Sequence, residues 1–293
     1  MYGFASYHPA ALLIYFLSAA LLTMLTQHPV LLVLSFLGAL SLLLFEQGAA
    51  ACKRLVYYLP FLFIMAAFNP LFNQQGDHIL FRLGTFSYSL ESFIYGLSVG
   101  FMLVDVMLWF SGYSRIMTAD KTLYLFGGAF PRLSLVLSSA MRFVPLFMRQ
   151  AGAVRDAQKV MGMYAAGGRT DKLRGALRSF TALLGWSLEN AVDTADAMEA
   201  RGYGLPGGSR MDARRLRLRD GLCIGASLLL LCLCLVEIFV RPGGAFAYFP
   251  RFARLAADPE ALLLYICAGL LFFLPCLILL KERLHWKLLQ SRI

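Results

Sequence analysis

Long apolar runs fill both ends of this chain, and a polar, charge-rich stretch separates them. A helix that crosses a bilayer needs roughly 17–25 mostly apolar residues. Six runs meet or approach that length, at 10–25, 29–45, 55–72, 90–110, 221–240 and 261–280. The first two are separated only by Gln27-His28-Pro29, which predicts a tight helical hairpin. The expected fold class is an all-α integral membrane protein with about six transmembrane helices and a cytoplasmic helical region between spans four and five. Residues 1–110 and 221–293 form its membrane helices, and 111–220 its interfacial and cytoplasmic helices.

The middle stretch changes period. Arg142, Arg149 and Asp156 recur every seven residues, with Arg155 and Lys159 alongside and Phe143, Leu146, Phe147 and Val154 on an apolar side. This predicts an amphipathic helix that breaks at Gly162 and Gly167-Gly168. A second helix is expected from Thr170 or Asp171, and a third after Gly185 or continuous with the second. Glu189, Asp193 and Asp196 share one face of that last helix, which stops at Gly202 with Pro206 beyond. Two helices thus end in glycine-terminated tips, Val160-Met161-Gly162 and Ala200-Arg201-Gly202. The run 133–148 contains Arg142 and Pro145, so it is expected at the interface or partly embedded.

Composition fits lipid: 59% of the 293 residues are hydrophobic and 15% charged, and mean hydropathy is +0.66. Soluble chains carry about 25% charged residues. Charge then sets the orientation. With a cytoplasmic N-terminus, all but four of the 27 Lys and Arg (Arg82, Arg241, Arg251 and Arg254) fall on the cytoplasmic side, as the positive-inside rule requires. Both termini are therefore expected in the cytoplasm of a multi-pass cell-membrane protein. Arg210, Arg214, Arg215, Arg217 and Arg219 sit just inside the fifth span, where topogenic and anionic-lipid contacts are the ordinary role and nucleic-acid binding is not implied. The first residues lack the basic start of a cleavable signal. Cys52, Cys223, Cys232, Cys234, Cys267 and Cys276 lie in or beside apolar runs, which reads as small hydrophobes rather than disulfides or a zinc site.

The chemistry that enzymes need is sparse. There is no Gly-Lys dipeptide and hence no phosphate loop of the GxxxxGK[ST] kind, so no nucleotide cofactor is expected on this chain. His8, His28, His78 and His285 have no metal-ligand spacing. Gly96-Leu97-Ser98-Val99-Gly100 matches the serine-hydrolase pattern G-x-S-x-G, but inside a predicted span, where Gly96 and Gly100 read better as a GxxxG packing face. Asp105 and Glu237 also lie within spans. Ionisable groups there are costly, so a proton- or ion-coupled carrier is the alternative reading, and an intramembrane hydrolase at Ser98 a remote one.

The stretch Asp196-Ala197-Met198-Glu199-Ala200-Arg201-Gly202-Tyr203-Gly204, with Arg142-Phe143-Val144-Pro145 and Asp156-Ala157-Gln158-Lys159 upstream, resembles the transmembrane T component of energy-coupling factor (ECF) transporters. His8-Pro9, Thr118-Ala119-Asp120-Lys121 and the order of spans carry the same resemblance. It implies a non-catalytic scaffold that works with two ABC-type ATPases, which bind the ATP, and with one small membrane S component that selects a vitamin or transition-metal ion. It also implies that Arg201, flanked by Ala200 and Gly202, docks on an ATPase. At the first tip the pattern departs from the family's Ala-Arg-Gly. Met161 precedes Gly162 there, and Lys159 is the only nearby cation. A bland reading of Arg201 stands beside this one, because the helix dipole favours a cation in the last turn, worth roughly 0.3–1 kcal/mol when exposed.

Overall fold

A computed structural model describes residues 4–48, 50–72, 78–83, 86–162, 168–206, 216–240, 248 and 259–290. Its elements are a 3₁₀ turn at Phe4–Ser6 and helices α1 (Pro9–Leu25), α2 (Pro29–Gln47) and α3 (Ala50–Phe72). A strand pair follows, β1 (Ile79–Leu83) and β2 (Phe86–Ser89). Then come α4 (Leu90–Ile116), α5 (Ala119–Ala129), α6 (Pro131–Val160), α7 (Arg169–Ala200), α8 (Leu218–Val240) and α9 (Pro259–Gln290). The chain divides into two compact units, one of residues 1–122 and 215–293, the other of residues 123–214.

In the first unit, α2, α3, α4, α8 and α9 are long and apolar enough to cross a membrane, and α1 is an apolar helix of 17 residues. The rise of an α-helix makes α1 roughly 26 Å long, slightly under the hydrocarbon thickness. The expected all-α membrane architecture is observed, with one addition. The antiparallel pair β1–β2 matches Phe81 with Tyr88 and Leu83 with Phe86. Glu91, wholly buried in the first turn of α4, accepts the His78 N–H at the entrance to this hairpin.

Both α1 and α2 start at His-Pro. Proline suits the first helical position because its missing N–H would have had no partner there. The histidine serves as N-cap: His8 Nδ1 accepts the Ala10 N–H at 3.2 Å, and His28 Nδ1 accepts the Val30 N–H at 3.3 Å. His28 Nε2 lies 3.1 Å from the Tyr265 hydroxyl of α9, and burial holds its pKa below the ordinary value.

The expected hairpin of α1 and α2 closes directly, with the Thr23 and Ser35 hydroxyls 2.9 Å apart. Each helix packs more widely elsewhere, α1 on α8 and α4, and α2 on α9 and α4, with Trp109 of α4 against both. Its indole meets Tyr15 and Phe16 of α1 edge-on, stacks on Phe272 of α9 at 5.9 Å, and donates from Nε1 to Ser35 of α2. Such aromatic pairs add about 0.5–1.5 kcal/mol each beyond burial. On its other side α4 meets α3 through the GxxxG face. A Cβ at Gly96 would stand 2.6 Å from Asn69 Cβ, and one at Gly100 would stand 3.0 Å from the Leu62 carbonyl. Small residues let backbones approach in lipid, where packing rather than water exclusion joins helices.

In the second unit, α6 and α7 pack antiparallel. Ser179 donates to the buried Gln158 at 3.1 Å, and the Phe147 ring meets Trp186 edge-on at 5.6 Å. Run 133–148 is the first half of α6, and it is not among the helices apolar enough to cross. One boundary differs slightly from expectation, and one of two stated alternatives is observed. α7 begins at Arg169 with Gly168 as N-cap and no side-chain cap, so neither Thr170 nor Asp171 starts it. It also runs unbroken through Gly185, since one exposed glycine costs a helix only about 1 kcal/mol.

Candidate partner-docking tips

Both tips end their helices through the same backbone device. At the end of α7, Arg201 is the C-cap and Gly202 follows at φ 79°, in the left-handed region where a Cβ is penalised. The Gly202 N–H bonds the Glu199 carbonyl at 2.8 Å and the Tyr203 N–H bonds the Met198 carbonyl at 3.0 Å, which together make a Schellman closure. Leu205 folds back over the turn, with Cδ1 3.1 Å from where a Gly202 Cβ would be. The cap residue is thereby held at the apex of a hydrogen-bonded turn, and Arg201 is exposed. Among the described residues no carboxylate pairs with its guanidinium. Ala200 beside it is exposed and small.

The α6 tip repeats the geometry without the charge. Met161 is the C-cap, Gly162 follows at φ 73°, and its N–H bonds the Lys159 carbonyl at 3.0 Å. Val160 and Met161 are 89% and 63% exposed. Lys159 turns back along the helix and pairs with Asp156 at 3.1 Å, an exposed pair worth about 0–1 kcal/mol. The candidate residues thus fall into two triplets of unlike chemistry: a forked cation between small residues, and an apolar apex beside a locally paired lysine. Sequence reasoning named Val160 as part of its tip but gave neither Val160 nor Leu205 a role. Large apolar residues flanking a C′ glycine are the signal that marks them.

The residues of the other readings sit elsewhere. Asp105 is wholly buried on α4, one turn before Trp109, and Glu237 is half-buried on α8. The Ser98 hydroxyl donates to the Tyr95 carbonyl within its own helix, a common resting place for a helical serine rather than a nucleophile's elbow. Arg210, Arg214 and Arg215 lie outside the described residues.

One unit with five helices long and apolar enough to cross a membrane, and a second of paired helices with capped, exposed tips, fit a membrane transport component. The family model described as cobalt transport protein matches residues 6–212, and the chain belongs to that family. Its relatives include energy-coupling factor transporter transmembrane proteins. That of Lactococcus lactis is 29% identical over 58% of this chain and 67% of its own length. That of Streptococcus thermophilus is 28% identical over 68% of this chain and 77% of its own. That of Exiguobacterium sibiricum is 33% identical over 38% of this chain and 42% of its own. The chain is a T-type membrane component of transport.

Proposed function

We propose that this chain is the scaffold and energy-coupling subunit of an ECF-type ABC importer, standing between two ATPase subunits and a small substrate-binding membrane protein. ATP is bound and hydrolysed by the partners, and movement of α6 and α7 is passed to the membrane helices. The N- and C-termini and the tips face the cytoplasm, where anionic lipids meet the basic stretch before α8. The cargo is a vitamin or a transition-metal ion, the class to which the cobalt of the family description belongs, and the S component selects it. The observation that carries this reading is the α7 tip. An arginine held at a Schellman apex offers a rigid fork of donors to carboxylates or carbonyls of a partner, while small neighbours let that surface approach.

Affinity purification of the tagged chain from its host tests it. Two ATPase subunits and one small membrane protein should be recovered, and Arg201→Glu should remove the ATPases while leaving membrane insertion intact. Recovery of no ATPase, or an Arg201→Glu variant that retains both, refutes the docking role. The buried Asp105 favours one competing reading, an ion-coupled carrier. Asp105→Asn separates the two: transport lost from an intact assembly supports the carrier, and transport retained excludes it.

A further inference from the structure

The middle of α4 holds a carboxyl group that the surrounding side chains leave unanswered. Asp105 is wholly buried, and among the described residues neither Oδ1 nor Oδ2 has a hydrogen-bond partner. Glu91, equally buried on the same helix, is the contrast, because its two oxygens share the His78 N–H. A buried polar atom without a partner is uncommon in folded proteins and calls for a physical cause. Within a membrane span the demand is sharper, since an ionisable group there is costly unless something compensates it.

The surroundings show what kind of compensation is needed. Asp105 precedes Trp109 by one helical turn, and its carboxyl faces the Ser35 hydroxyl of α2. That hydroxyl is already committed. Trp109 Nε1 donates to Ser35 Oγ at 2.9 Å, and Thr23 Oγ1 of α1 stands 2.9 Å from the same oxygen. Thr23 gives its own proton to the Ala19 carbonyl at 2.8 Å, so Ser35 is the donor between the two hydroxyls. Ser35 therefore keeps one open lone pair and has no proton left for Asp105.

No basic side chain makes up the difference. Of the elements packed on α4, α1 and β2 carry no charged residue, α2 has only Glu46 at its end, and α3 has Lys53 and Arg54 at its start. α9 has none between 261 and 280, and the Tyr15 hydroxyl of α1 is taken by the Phe272 carbonyl. On α4 itself Arg115 lies ten residues on, about 15 Å along the axis.

We infer that Asp105 anchors a binding site for one small monovalent cation, a sodium ion or a proton, at the junction of α1, α2 and α4. Its size follows from burial, because a carboxyl closed off from solvent admits no larger partner. Its single charge follows from the lone carboxylate, since a divalent ion would leave a surplus positive charge in the same buried place. The cation draws the carboxyl oxygens and the open lone pair of Ser35 to one positive centre, completing the row from Thr23 to Trp109. It is a resident of the bundle that fastens three helices, rather than cargo, and it does not depend on the docking role of Arg201.

Trp109 supplies a local reporter. On a Trp186→Phe, Trp286→Phe background it is the one tryptophan left of three. Its fluorescence is read in the full chain in lipid nanodiscs, titrated with sodium chloride against choline chloride at fixed pH. Infrared spectra of the wild type and of Asp105→Asn are compared in choline. A saturable sodium response that Asp105→Asn weakens by at least about tenfold identifies a sodium site. No sodium response, together with the carbonyl band of a protonated carboxyl that is present in the wild type and missing from Asp105→Asn, identifies a proton. Neither a sodium response nor such a band overturns the proposal, and so does a sodium response that Asp105→Asn retains in full. Ser35→Ala gives a second reading that does not rely on the folding of the asparagine variant. Removing the open lone pair should weaken the sodium response or shift the carboxyl band, and a Ser35→Ala chain that leaves both unchanged also overturns the site.

Discussion

Arg201 and Met161 occupy equivalent cap positions on two helices, yet truncating them should have unequal effects. Removing a bidentate arginine from a partner contact strands the groups it satisfied and costs about 2–5 kcal/mol, whereas an apolar apex strands no charge. Arg201→Ala should therefore weaken ATPase association by well over tenfold in a pull-down titration at matched expression. Met161→Ala should give a milder, salt-insensitive loss. Equal losses would return Arg201 to the status of a helix-end cation. The glycine after each cap was readable in the sequence because only glycine sits easily at φ 73° or 79°. The Lys159–Asp156 pair was not, since spacing allows such a pair without requiring it. His28 offers a second test. Its folded pKa lies below the ordinary 6.5, so between those two values the unfolded chain holds more protons than the folded one. Its contribution is complete above the unfolded value and is lost as pH falls through that window, when Nδ1 takes a proton and can no longer accept the Val30 N–H. Melting of the wild type in detergent should drop between about pH 7.5 and pH 5 by more than that of His28→Asn, which keeps a capping acceptor without titrating. Parallel pH profiles would exclude the cap as the cause.

Among the elements, α4 organises the bundle because its two faces are made differently: glycine toward α3, tryptophan toward α1, α2 and α9. Gly96→Ala would bring a methyl carbon to 2.6 Å from Asn69 Cβ, and overpacking of this kind typically costs about 1–3 kcal/mol. Gly225→Ala on α8, where nothing lies within 4 Å, should instead be neutral or slightly stabilising. Thermal unfolding of both variants in detergent checks the contrast, and equal melting temperatures would contradict the α3–α4 packing. The membrane helices were legible as runs, and Gly96/Gly100 as a packing face, because hydropathy and small-residue spacing are local properties. Helix partners were not. Nothing near Gln27-His28-Pro29 tells that Trp109, more than eighty residues later, packs against both α1 and α2. The hairpin at Ile79–Ser89 escaped notice because strands of five and four residues leave too little alternation to stand out between long apolar runs. α9 continues ten residues past the expected 280 because its amphipathic end, Lys281 onward, remains a good helix former after the apolar run stops.

On the scale of the whole molecule, the proposed orientation rests on charge asymmetry. On a cysteine-free background, a cysteine replacing His78 should react with an impermeant thiol reagent outside the cell, and one replacing Thr170 only after permeabilisation. Outside labelling at 170 would invert the assignment of the second unit. The overall plan of spans flanking a polar arm was written in hydropathy. What covers the arm was not, since a sequence shows an apolar stripe without its partner. On α7 that stripe is Leu173, Leu177, Phe180, Leu184, Leu188 and Val192, all exposed, and on α6 Leu133, Leu137, Val144 and Met148 repeat it. Beyond Trp186, α7 runs on for roughly 21 Å at the helical rise before it reaches the Arg201 cap. In the cytoplasmic placement proposed for α6 and α7, exposed apolar stripes of this length are what housekeeping proteases and holdases recognise in unassembled subunits. Made without its companions, the chain should therefore be short-lived in the cell, and a pulse-chase should show its half-life lengthening several-fold when the co-purifying subunits are co-expressed. The stoichiometry of the transporter would then be policed by removal of the surplus scaffold, with no separate regulator required.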